Sequence, residues 1–298
     1  MDNYKHTISM KLELTEGDCE NIKNLETICY DEQKYNLKLE LDYKMRHLKD
    51  SIKDKIMKEF LYYENEILVG YLGLCNFHGT SVEISGMVHP KFRRKGIFKK
   101  LYLLAKEEWK NIEPSEVLIL CDHTSISGLA FIDDIRAEYG FSEYKMCLNK
   151  KTLEVTDDFA TKLRLATNVD ADEINRQSSI YFGEAEQEAD IKEDKENPSI
   201  EIDDNFNSYM AEVKGEIIGK IHICITKGEG FIYGVGVLPK FRGRGYGREI
   251  LCSALSILKE KNIKNIFLEV GTENKIAIEL YESCGFEEIS VMDYYLVS

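Results

Sequence analysis

The chain has little of what builds a metal or redox centre. Its eight cysteines, Cys19, Cys29, Cys75, Cys121, Cys147, Cys224, Cys252 and Cys284, are scattered. None forms a Cys-x-x-Cys pair, and none of the six histidines stands at zinc-ligand spacing from a cysteine. That excludes zinc ribbons and thioredoxin-type motifs, so no metal is expected. Scattered cysteines in apolar stretches behave as small hydrophobes and point to a reduced, cytoplasmic setting. No apolar run approaches a membrane span, and residues 1–10 lack the apolar core of a signal peptide, so no membrane association is expected. Neither Gly-x-x-x-x-Gly-Lys-Ser/Thr nor Gly-x-Gly-x-x-Gly occurs, which excludes the commoner nucleotide loops. Positive charge is also in deficit. The net charge is −14, with 22 Lys/Arg against 25 Asp/Glu in residues 1–150 and 17 against 28 beyond. Such a field disfavours nucleic acid and favours a cationic partner such as an amine.

What is present is a long repeat. Val88-His89-Pro90-Lys91-Phe92-Arg93-Arg94-Lys95-Gly96-Ile97-Phe98 is echoed by Val237-Leu238-Pro239-Lys240-Phe241-Arg242-Gly243-Arg244-Gly245-Tyr246-Gly247, and Gly70 falls on Gly219 at the same offset. Solenoid periods reach only about 50 residues, so this one marks two copies of a whole domain. The spacing and length give residues 1–150 and 151–298, each long enough to bury its own core.

The halves share a layout. A short strand leads to a helix start at Asp18 or Asp170. A hairpin follows, turning at Glu64-Asn65-Glu66 or Lys214-Gly215. Then come a further strand, Val82 to Val88 or Phe231 to Val237, and an amphipathic helix. Its faces are Phe98, Leu101, Tyr102, Ala105, Trp109 and Ile250, Leu251, Ala254, Leu255, Leu258. A buried-type strand, Val117 to Leu120 or Ile266 to Val270, precedes another helix, expected to end at Gly140-Phe141 or Gly285-Phe286, and a last strand. Without strict strand–helix alternation the fold class is mixed α/β (α+β). Residues 150–158 read as a linker, and residues 184–204, with ten Asp/Glu, as an acidic excursion.

Chemistry concentrates in Arg242-Gly243-Arg244-Gly245-Tyr246-Gly247. Glycines at alternate positions before a helix permit positive φ and close approach of a ligand. Converging N–H groups and the helix dipole suit a pyrophosphate, with Arg242 and Arg244 able to add charge-assisted bonds.

These residues carry a resemblance. Arg242-x-x-Gly245-x-Gly247 after Val237-x-Pro239 resembles the acyl-CoA loop of the GNAT acetyltransferase superfamily. Leu268-Glu269-Val270-Gly271-Thr272-Glu273-Asn274, then Ala277, Leu280-Tyr281-Glu282 and Gly285-Phe286, is similar to that family's last shared block, in wording like that of bacterial enzymes acetylating the N-terminal alanine of ribosomal proteins. The resemblance implies two tandem domains, each with a mixed, mostly antiparallel sheet flanked by helices. It implies acetyl-CoA as cosubstrate and direct transfer to a primary amine, small molecule or peptide. By that resemblance Val235, Gly236 and Val237 present strand backbone to the pantetheine and the thioester oxygen. Arg242, Gly243, Arg244, Gly245, Tyr246 and Gly247 hold the pyrophosphate. Asn274 bonds the pantetheine arm, Tyr281 protonates the leaving thiolate, and Glu269 is the base.

Residue by residue, other readings stand beside these. Tyr281 on an apolar helix face fits a core, Asn274 fits a helix cap, and Glu269 fits a solvent-facing strand residue. Glu184, Glu186 and Glu188 are other candidate bases, and His222 reads as structural. In the first half Gly243 and Gly247 fall on Arg94 and Phe98. Pairing Gly140-Phe141 with Gly285-Phe286 puts Arg136 where Tyr281 stands, which makes the first half a structural partner. A non-catalytic acyl-CoA-binding module is the alternative for the whole chain.

Overall fold

Alternation and turn chemistry set the strands of each half. In a computed structural model, residues 6–46, 58–76, 81–111, 113–149, 159–182 and 205–297 are described. The expected linker 150–158 and the acidic excursion 184–204 lie outside them. The chain divides into two compact units, residues 1–143 with 290–298, and residues 144–289.

The first unit opens with β1 (His6–Lys11) and α1 (Glu16–Gln33). Thr15 and Asp18 form a reciprocal cap on α1, the Asp18 carboxylate accepting from Thr15 N at 2.9 Å and Thr15 Oγ1 from Asp18 N at 3.2 Å. After α2 (Leu41–Arg46) come β2 (Glu59–Glu64), β3 (Ile67–Cys75) and β4 (Ser81–Val88), antiparallel to one another. The β2–β3 turn puts Asn65 and Glu66 at φ 48° and 68°, the left-handed pair that a two-residue hairpin needs. α3 (Ile97–Trp109) then returns the chain so that β5 (Glu116–Asp122) runs parallel to β4. α4 (Ile126–Ile135) and β6 (Glu138–Leu148) follow.

The second unit repeats the order: β7 (Lys162–Leu165), α5 (Ala171–Phe182), β8 (Phe206–Val213), β9 (Glu216–Thr226), β10 (Glu229–Val237), α6 (Tyr246–Glu260), β11 (Asn265–Gly271), α7 (Lys275–Ser283) and β12 (Phe286–Leu296). Thr167 and Asp170 rebuild the reciprocal cap, and Asp170 is also held by Arg164 at 2.7 Å, which depresses its carboxyl to about 2. β7 through β10 pair antiparallel, and β11 runs parallel to β10. α6 buries Ile250, Leu251, Ala254, Leu255 and Leu258 against one face of this sheet. Each fully buried aliphatic side chain contributes about 1.5–3 kcal/mol, so Leu255→Ala alone would cost about 2–5 kcal/mol.

The last strands are exchanged. Residues 144–148 of β6 belong to the second unit, with Met146 and Leu148 in its core, while the end of β12 belongs to the first. There Met292 to Leu296 pair antiparallel with Asp122 to Leu118 of β5. Asp293, buried, accepts from Ser142 Oγ and lies 2.8 Å from His123 Nδ1.

One expected boundary is displaced. α4 ends at Ile135, where Arg136 takes a left-handed φ of 56° and Ala137 N bonds Ile132 O. Gly140 is a strand residue packed against the Tyr294 carbonyl, not a helix terminator like Gly285 at φ 88°. Counted from the caps Ser125 and Asn274, which accept from Gly128 N and Ala277 N at 3.2 Å each, the residue matching Tyr281 is Ile132, not Arg136.

Candidate active site in the second unit

The parallel pairing of β10 and β11 ends at Ile232 and Leu268, although both strands continue. Two strands that stop pairing open a fork. The register of β10 against β9 also shifts between Tyr233 and Gly236, with Gly234 at φ 55°. Past this bulge Val235 and Val237 pack against the core, and Gly236 faces the other way. A Cβ on Gly236 would land in the Tyr181 ring, so any other residue there would have to displace that ring.

β10 leads into the glycine loop. Arg242 Nε donates to Val237 O at 2.9 Å and braces the loop back onto its own strand. Gly243 and Gly245 adopt φ 74° and 84°, and a Cβ at either would meet nothing within 4 Å. The loop is therefore open at its glycines and empties into the first turn of α6, whose N–H groups have no partner within the helix. Gly247 does a different job, letting Leu280 of α7 approach to 3.3 Å of where its Cβ would be. Tyr246 is half-buried against the core, and the exposed Arg244 donates to Lys240 O at 3.3 Å.

α7 delivers Asn274 and Tyr281. The Asn274 side-chain oxygen is the helix cap. Tyr281 is 8% exposed, its ring edge-on to Phe286 at 6.2 Å, and burial pushes its phenol up to about 12. Its hydroxyl makes no hydrogen bond to another side chain among the described residues. Glu269 is exposed on β11, between the buried Leu268 and Val270, and so lies on the sheet face opposite α6 and α7. The alternative bases Glu184, Glu186 and Glu188 fall outside the described residues.

On Glu269's face lies a polar group that sequence pattern does not single out. Lys220 is 1% exposed, its ammonium 2.6 Å from Ser178 Oγ and 3.0 Å from His222 Nε2, and His222 Nδ1 is 2.7 Å from Ser208 Oγ. Burial without a carboxylate brings Lys220 down to about 8 and, with Lys220's charge, His222 down to about 3. His222 is thus a hydrogen-bonded interior residue. Lys220 escapes a sequence reading because Lys-Ile-His-Ile alternates like a strand with one wet face.

The first unit holds the same frame with other contents. β4 and β5 part after Ile84 and Ile119, and Arg93 Nε donates to Val88 O at 3.0 Å. Arg94, where the second unit has Gly243, keeps a left-handed φ of 62° despite its side chain, and Gly96 has φ 75°. A cavity of about 600 Å³ lies beside this loop, lined by Met87, Arg93, Phe98, Cys121, Ser125 and Phe131 among others.

Residues 171–286 match the Acetyltransferase (GNAT) family. Over 100 residues the chain is 32% identical to an N-alpha-acetyltransferase of Sulfurisphaera tokodaii, covering 29% of this chain and 60% of that protein. Over 74 residues it is 34% identical to a ribosomal-protein alanine N-acetyltransferase of Haemophilus ducreyi, covering 24% and 51%. The chain thus spans 60% or less of these relatives. Among solved structures it resembles a GCN5-related N-acetyltransferase from Sphaerobacter thermophilus, with TM-score 0.70 at 16% identity over 98% of this chain and 95% of that one. It also resembles the tandem GNAT protein from the clavulanic acid biosynthesis pathway, with TM-score 0.67 at 13% identity over 98% of each chain. Residues 171–286 are thus similar to the acetyltransferase (GNAT) family, and the chain as a whole has the fold of tandem GNAT structures.

Proposed function

We propose that the second unit transfers an acetyl group from acetyl-CoA to a primary amine by direct attack. The observation that carries this is Tyr281, a buried phenol with no side-chain hydrogen-bond partner among the described residues, in the core cluster against which Val235 and Val237 of the open fork pack. Acetyl-CoA supplies the activated acyl group as a thioester. The N–H groups of the Gly243–Gly247 turn and the start of α6 receive its pyrophosphate. The β10 backbone from Val235 to Val237 lines the fork where β11 no longer pairs, and an N–H near Val237 steadies the carbonyl oxygen as it gains charge.

The two titratable groups lie on opposite faces of the sheet. Glu269, on the outer face, takes the proton of the incoming ammonium, which exposes the nitrogen lone pair. A carbon–nitrogen bond forms and the carbon–sulfur bond breaks. Tyr281, on the core face, gives its proton to the departing sulfur and regains one from solvent. Its raised phenol stays protonated throughout the neutral range. Tyr281→Phe should lower kcat by on the order of 10²- to 10⁴-fold while acetyl-CoA affinity holds, read by thiol release and by calorimetry. Unchanged kcat would remove Tyr281 from the chemistry. Acetyl-CoA binding without thiol release for any amine would favour a non-catalytic acyl-CoA module.

The first unit's cavity supports a second reading for that half. It keeps the braced loop and an open cleft, but buried Ile132 stands where an acid is needed. It therefore binds an acyl-CoA-type ligand without turning it over.

A further inference from the structure

On the outer face of the second unit's sheet, three aromatic rings gather at the closed end of the fork. Phe231 and Phe267 are register partners on β10 and β11, their ring centroids 5.4 Å apart. Tyr233 stacks on Phe231 at 6.4 Å with planes 13° apart, and is 42% exposed. The buried residues between them, Ile232 and Leu268, point into the core, so Phe231, Tyr233, Phe267 and Glu269 share one side. Aromatic side chains of a core strand normally point inward, and three on the outward side form a surface suited to a flat partner.

Charges of both signs stand beside Phe267. Glu269 stands at the fork, two residues beyond Phe267. Lys145, from the β6 segment of this unit, holds its ammonium 5.1 Å above the Phe267 ring. Among the described residues Lys145 has no carboxylate partner, so the ring itself is what holds this cation. A ligand with one ammonium would set it at Glu269 and lay its body along the rings. A ligand with a second ammonium beside the Phe267 ring would meet Lys145 and be repelled.

We infer that the Phe231–Tyr233–Phe267 cluster is the acceptor platform and selects a primary monoamine carried on a flat, apolar body, of arylalkylamine type, over linear polyamines. This rests on the acetyl-transfer reading for its role but not for its binding. The test uses the full chain with saturating CoA and three probes: 2-phenylethylamine, spermidine and a peptide with N-terminal alanine. Calorimetry should rank 2-phenylethylamine at least ten-fold tighter than spermidine. Tyr233→Ala, a change at an exposed position, should weaken 2-phenylethylamine about five- to ten-fold and leave spermidine unmoved. Lys145→Glu should improve spermidine. In thiol-release assays Tyr233→Ala should raise KM for 2-phenylethylamine and spare kcat, the converse of Tyr281→Phe. Absent binding of 2-phenylethylamine, a preference for spermidine or the peptide, or an unaltered Kd in Tyr233→Ala would each overturn the platform. Ring-dependent binding of 2-phenylethylamine without thiol release would support the platform and count against acetyl transfer.

Discussion

The two units answer one structural demand with different residues. Where β9 of the second unit places Lys220 against Ser178 and His222, β3 of the first places Tyr71, bonded to the buried Glu59 and, at 3.1 Å, to Lys44. In the first unit a cation meets a buried carboxylate, Lys44 lying 2.9 Å from Glu59. In the second the cation has neutral partners only. Where Gly236 admits the Tyr181 ring, Met87 fills the first unit's core with its own side chain. The loop backbone is the same in both, glycine at one left-handed position in the second unit and Arg94 in the first. The loop frame is common to both units, while the residue matching Tyr281 is Ile132 in the first.

That comparison can be broken or sharpened by experiment. Removing residues 290–298 should have the largest effect. It strips Asp293 and Tyr294, both buried, from the first unit and should abolish that unit's cooperative unfolding while the second unit's transition remains. Hydrogen exchange read unit by unit would check it, and retained protection in β5 would show that the exchanged strand is dispensable. Next come Gly245→Val and Gly96→Val, each placing a branched side chain at a left-handed φ beside open space. Thiol release should fall by on the order of 10²-fold or more in the first and stay near wild type in the second, with acetyl-CoA titrations reporting each loop. The reverse pattern would move the chemistry to the first unit.

A smaller effect is expected at Lys220. Its folded value of about 8 lies below the unfolded value of about 10.4, so the unfolded chain holds more protons between them. Stability should therefore rise with pH across that window, by up to about 1.4 kcal/mol per pH unit, and the cost of burying the charge is fully present below pH 8. Denaturant titrations of wild type and Lys220→Met would show the difference, since the variant should lack that rise. A parallel pH profile in the two proteins would count against a buried, uncompensated ammonium. The smallest effect is at Arg94. Replacing it with glycine relieves a left-handed residue and should add up to about 1 kcal/mol to the first unit, seen as a small upward shift in Tm.

Much of this architecture is legible in the amino-acid sequence itself. The hairpin turns, the paired Thr–Asp caps and the amphipathic faces of α3 and α6 follow from local chemistry that sequence records directly. So do the glycine loop and its strand. Asn274 as a cap is readable from its place before α7, and the structure assigns it that bond. What is not legible depends on partners distant in the chain. The exchange of β6 and β12 leaves no local trace, because a buried strand reads alike whichever sheet receives it. The Gly140-Phe141 pairing misleads because glycine marks a helix end only when its φ is positive, and here Arg136 takes that role. Tyr181 gives no hint, one residue from a helix end, that it covers Gly236.

The exchanged strand also governs the order in which the chain can mature during synthesis. The first unit's sheet receives Met292 to Leu296 beside β5, and these residues are made only after the entire second unit. At about 5–20 residues per second, the emerging first half waits on the order of ten seconds with one side of β5 uncovered. An uncovered strand edge is an aggregation hazard. The usual order, in which the domain made first finishes first, is inverted here. The second unit receives its β6 strand early, and the first unit closes last.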